Sequence, residues 1–125
     1  MDTLTKLKDK LNIDENELIE IRKVIFHIEE TLDFYGISFD EQLELGFYSH
    51  IVSFVRRLKE NEKVMDVSDD SILEQIDKKA LDIAEVLLKP IFKKYNSSYN
   101  YSEVILVAVY IQTAMFKDEG GEKDE

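Results

Sequence analysis

One proline and four glycines in 125 residues leave this chain few places where a helix must stop. Long helices are the natural outcome, and apolar residues recur at helical spacing through most of the length. The most informative stretch is Phe47-Tyr48-Ser49-His50-Ile51-Val52-Ser53-Phe54-Val55-Arg56-Arg57-Leu58. At about 100° per residue, Leu43, Phe47, Ile51, Phe54 and Leu58 form one apolar stripe. His50 and Arg57 are close to two turns apart, so they lie one above the other at the edge of that stripe. A titratable imidazole beside a fixed cation, at the margin of a buried face, is a candidate for chemistry. The plain alternative is a packed or half-exposed histidine with no task.

The other segments follow the same period. Met1 to Ile13 carries Leu4, Leu7 and Leu11 among Lys and Asp, as an N-terminal arm or a short amphipathic helix. Asp14 and Glu17 have capping-box spacing and predict a helix to about Tyr35-Gly36, with Leu18, Ile21, Ile25, Ile28 and Leu32 on one face. His27 lies opposite that stripe and reads as solvated. Ser38 and Glu41 predict the cap of the helix carrying His50, which runs to about Lys59. Gly46 inside it either allows a close helix approach or is merely tolerated.

Glu60 to Asp69 reads as the main loop. Asp69 or Asp70 then caps a short helix with Ile72, Leu73 and Ile76 inward. A longer helix is expected from about Lys78 to Tyr95, kinked at Pro90, with Asn96-Ser97-Ser98 as a turn. The last helix begins near Asn100 or Ser102. Its Val104 to Ile111 run is apolar on almost every side, which means burial all round or a partner over one face. The fold class is all-α. The expected organisation is an arm or short helix over 1–13, a helical domain over 14–116 and a disordered acidic tail over 117–125.

A net charge of −11 argues against direct binding of nucleic acid, itself a polyanion. Arg56-Arg57, Lys78-Lys79 and Lys93-Lys94 are only pairs. The absence of Cys removes disulfides, thiolate catalysis and Cys-based metal sites. The N-terminus has no signal-peptide pattern, and no apolar run approaches the roughly 20 residues of a membrane span. A cytoplasmic location without membrane contact is expected. Two His on separate helices make no zinc or iron motif, and no phosphate loop, nucleophile elbow or EF-hand loop is present. The plentiful acids leave a carboxylate-only metal site open, but charge runs such as Asp14 to Glu20 read as solvated faces. The expectation is no enzyme, no cofactor and no metal.

Three segments together resemble a known family. His50-Ile51 to Arg57 comes first, then Ser71-Ile72-Leu73-Glu74-Gln75-Ile76. Ser102-Glu103-Val104-Ile105-Leu106-Val107-Ala108-Val109-Tyr110-Ile111-Gln112-Thr113-Ala114 comes last. In this order and spacing they resemble the PTS regulation domain, or PRD. That module occurs in bacterial regulators controlled by the sugar phosphotransferase system, and the resemblance covers about Asn16 to Ala114. It implies a compact five-helix bundle that dimerises, with phosphorylatable histidines near the dimer interface. The donors implied are the phosphocarrier protein HPr or a sugar-specific transport component.

Residue by residue, His50 matches the first phosphoacceptor histidine and Arg57 the arginine after it. Glu103 matches the glutamate of the last helix. Tyr110 stands where the family usually has its second histidine, so that acceptor is lost. Arg57, Glu103 and Tyr110 are thus candidates for pairing with a phosphate or supporting an interface. No RNA-binding domain, helix-turn-helix or second PRD accompanies the first, so a stand-alone PRD protein is expected, acting through an unidentified regulatory partner. The alternative is a constitutive dimerisation or protein-interaction module that has lost phosphorylation.

Overall fold

The computed structural model describes residues 3–60 and 75–123, with 117–123 as backbone only. Among them are five helices: α1 (Thr3–Leu11), α2 (Glu15–Phe34), α3 (Glu41–Lys59), α4 (Lys78–Lys94) and α5 (Tyr101–Lys123). The described residues contain no strand, so the all-α expectation holds. The expected loop from Glu60 and the short helix at Asp69 or Asp70 fall mostly on residues 61–74, outside the described residues.

The apolar stripes meet in one core. Phe47, Ile51, Phe54 and Leu58 of α3 are buried with Leu18, Ile21, Ile28 and Leu32 of α2. Leu87, Leu88, Ile91 and Phe92 of α4 join them. Each such side chain contributes about 1.5–3 kcal/mol through water exclusion. Phe54 packs edge-on to Phe92, with ring centroids 5.6 Å apart. Before α2, Leu7 of α1 is fully buried and the helix packs on α3.

Caps set the helix ends. Asp14 Oδ1 accepts from the Glu17 N–H at 2.8 Å, as the sequence predicts. The start of α3 differs. Asp40, not Ser38, is the cap, and its Oδ1 accepts from the Leu43 N–H at 2.8 Å. Glu41, the expected reciprocal partner of Ser38, instead takes the Lys6 ammonium of α1. A carboxylate is a stronger acceptor than a hydroxyl for an N–H at the positive end of a helix.

At the end of α2, Gly36 has φ +71°. Its N–H donates to Asp33 O and the next N–H, of Ile37, to Leu32 O. This is a Schellman end, with Ile37 and Leu32 both buried. Asn96, at φ +56°, ends α4 in the same way through Lys93 O and Phe92 O.

The last helix, α5, extends to Lys123, past residue 117 where the acidic tail was expected to begin. One expectation is corrected. His27 is not solvated. It is half-buried, and its Nε2 lies 3.3 Å from Leu87 O of α4. The side of α2 opposite its main stripe is covered there by a second helix.

Candidate functional site

α3 and α5 pack antiparallel, and each carries a pair of polar residues two turns apart. On α3 these are His50 and Arg57; on α5 they are Glu103 and Tyr110. The four converge. His50 Nε2 is hydrogen-bonded to Glu103 Oε1. Arg57 Nη2 lies 3.9 Å from Glu103 Oε2. The Tyr110 ring is stacked on His50, with centroids 6.0 Å apart and planes 30° apart. Tyr110 also meets Phe47 edge-on at 5.5 Å, and Gly46 lies beneath it.

Local folding explains each placement. Asn100 caps α5 by accepting from the Glu103 N–H at 3.0 Å. Glu103 is therefore in the first turn, where the partial positive charge of the helix N-terminus favours a carboxylate. Its side chain is completely buried, whereas those of His50 and Arg57 are 19% and 32% exposed. A buried carboxylate needs paired hydrogen bonds or charge. Glu103 has both sources of compensation in the imidazole and the guanidinium.

The compensation is incomplete. Arg57 Nε and Glu103 Oε2 are buried with no hydrogen-bond partner among the described residues, and so is Ser49 Oγ. At 3.9 Å the Arg57–Glu103 contact is an ion pair without a hydrogen bond. The guanidinium thus keeps donor capacity next to an imidazole that solvent reaches. A phosphoryl oxygen is the kind of acceptor such a guanidinium takes, often through two N–H groups at once.

Sequence and structure agree on the edge position of His50 and Arg57. Residue spacing did not reveal how deeply Glu103 is buried. The available signal was that Glu103 is the lone acid in an otherwise apolar helix face. Spacing also missed Arg56, whose Nε and Nη2 donate to the two Glu17 oxygens at 2.6 and 2.8 Å. Nη2 donates as well to Leu11 O at 2.8 Å, so Arg56 ties α1 and α2 to α3 and is structural.

Two adjoining clefts of about 340 and 330 Å³ lie elsewhere, with Phe26, Glu29, Glu44 and Tyr48 lining both. Burial, then the charges of Glu29, Glu44 and Asp33, pushes the Tyr48 hydroxyl well above the usual tyrosine range. Among the described residues no group of three or more His, Cys, Asp or Glu could hold a metal ion. No helix among them is long and apolar enough to cross a membrane.

The model of the PRD domain matches residues 25–114, a span that runs from the middle of α2 to near the end of the apolar part of α5 and contains all four converging residues. No curated protein and no solved structure matches the chain significantly. With most of its length matched, and with the helical bundle that the match implies, the chain belongs to the PRD domain family and is a regulatory module of that type.

Proposed function

We propose that this PRD is phosphorylated on His50 by the sugar phosphotransferase system and passes the signal to a partner protein in transcriptional or metabolic regulation. The donor is the phosphocarrier HPr or a sugar-specific transport component, and the setting is the cytoplasm. One observation carries the reading: a solvent-reached imidazole is fixed by a buried carboxylate beside an arginine with unspent donors. A phosphoryl group adds nearly two negative charges and several acceptor oxygens. Arg57 supplies donors to it, and Glu103 holds the imidazole that carries it.

The working unit of this proposal is a homodimer. Tyr101, Val109 and Phe116 of α5 are 41–51% exposed, and Leu106 is half-buried. At about 100° per residue Leu106 falls between Val109 and Tyr110, so the exposed apolar strip borders the His50 site. A second copy over this strip brings two phosphorylation sites near each other, where added charge in a chain of net charge −11 acts on the interface. Sedimentation at micromolar concentration is expected to find dimer; monomer alone contradicts it.

Incubation with the general phosphotransferase components and radiolabelled phosphoenolpyruvate tests phosphorylation. Acid-labile label on the protein is expected. No label with the carrier or with any sugar-specific component overturns the reading and favours a constitutive dimerisation module.

A further inference from the structure

The two nitrogens of His50 are not equivalent, and their difference selects the phosphorylated atom. Nε2 is engaged by Glu103 Oε1. Nδ1 makes no hydrogen bond among the described residues, and it is not among the buried atoms left without a partner. Among the described residues it is the ring nitrogen left without a hydrogen bond. An ionised carboxylate can only accept, so the nitrogen facing it must carry the proton. The Arg57 guanidinium near Oε2 and the α5 N-terminus both favour the ionised carboxylate. The neutral ring is then the Nε2–H tautomer, with its lone pair on Nδ1.

From this we infer that Glu103 is a positioning residue that makes Nδ1, not Nε2, the phosphoryl-accepting atom of His50. The inference rests on the phosphorylation proposed above and deepens it. The Nδ1 lone pair attacks the phosphorus of a protonated phosphohistidine on the donor protein. A new N–P bond forms as the donor's N–P bond breaks, and that electron pair returns to the donor ring, which leaves as neutral imidazole. His50 becomes a phosphoimidazolium that keeps its Nε2 proton, and Glu103 balances the ring's positive charge. No proton changes hands. A carboxylate that holds the far nitrogen thus raises the nucleophilicity of the near one and stabilises the charge that develops.

Attack from Nε2 requires the ring to give up its bond to Glu103 and leaves a carboxylate buried without that partner. It also places a dianionic group against that carboxylate. Both effects disfavour the Nε2 isomer. Tyr110, stacked on the imidazole, further restricts rotation that exchanges the two nitrogens.

Nitrogen-15 NMR of the unphosphorylated protein, at a pH where its imidazole rings are neutral, reads the tautomer without any donor. The Nε2–H form is expected; a predominant Nδ1–H form overturns the inference. The phosphorylated atom is then identified by phosphorus–nitrogen correlation after separate treatments with the phosphorylated carrier protein, with phosphorylated sugar-specific components and with phosphoramidate, a small phosphoryl donor. Nδ1-phosphohistidine is expected from phosphoramidate and from at least one of the protein donors. Product on Nε2 overturns the inference but leaves the proposed function standing. Product on Nδ1 from phosphoramidate and from no protein donor supports the inference and contradicts the proposed function. No product on His50 from any of them overturns both. Glu103→Gln should slow phosphorylation about tenfold, the effect of replacing a charge-assisted bond by a neutral one, and should relax the isomer preference to a mixture. An unchanged isomer ratio in a folded Glu103→Gln protein contradicts the positioning role.

Discussion

Gly46 and Tyr110 face one another across α3 and α5 at a spacing that would accommodate a Cβ. A Cβ added at Gly46 meets Tyr110 Cε1 at 3.8 Å and the hydroxyl oxygen at 3.9 Å, ordinary van der Waals contact. The close approach that a mid-helix glycine can signal is therefore not needed here, and the residue is merely tolerated. Gly46→Ala should stabilise the fold by about 0.5–1 kcal/mol, the helix-propensity difference. Urea denaturation checks this; a loss of stability means that the helices are packed more tightly than this spacing.

Phe54 is the opposite case. It is fully buried and edge-on to Phe92, between α3 and α4. Phe54→Ala should cost about 3–5 kcal/mol, the transfer term plus the cavity left behind. The same denaturation experiment reads it. A cost below about 1 kcal/mol contradicts the packing described.

Glu20 gives the fold part of its acid sensitivity. Burial alone raises its pKa. Hydrogen bonds from Lys59 at 2.7 Å and Tyr95 at 2.5 Å, with the charges of Lys59 and Lys94, outweigh that and hold it below the usual carboxylate value. Its folded pKa is therefore lower than its unfolded one. The stabilisation is present in full above about pH 4.5, the ordinary value, and is lost as pH falls through the lowered folded value. Glu20→Gln should be less stable than wild type at neutral pH, with the difference narrowing as acid is added. A gap that widens toward acid contradicts this sign.

Much of this was legible in the sequence, for identifiable reasons. Asp14 was readable because cap and helix start coincide in one local pattern. Asp40 was not, because Ser38 offers a competing capping box and only the Lys6 contact from α1 decides what Glu41 does. His50 and Arg57 were placed on the edge of a stripe, and they are there. His27 was misjudged because a helical wheel shows one helix's stripe and not the neighbour that covers its other side. Glu103 is the sharpest gap. Periodicity puts it in an apolar helix, but only the meeting of α3 and α5 shows that a carboxylate there is both buried and paired.

His27 is held by a contact between two helices of the bundle. Its bond to Leu87 O joins α2 to α4. His27→Ala should cost about 0.5–1.5 kcal/mol in stability, the net value of one hydrogen bond, while leaving the fold intact at room temperature. Thermal unfolding that is unchanged in this variant contradicts the contact's contribution.

The central claim is that His50 accepts phosphate. Mass spectrometry under neutral conditions, after incubation with phosphorylated carrier or sugar-specific component, tests it most directly on wild type, His50→Ala and His27→Ala. Wild type and His27→Ala should each gain one phosphoryl group, and His50→Ala should gain none. Phosphate persisting on His50→Ala, or absent from wild type with every donor, contradicts the account.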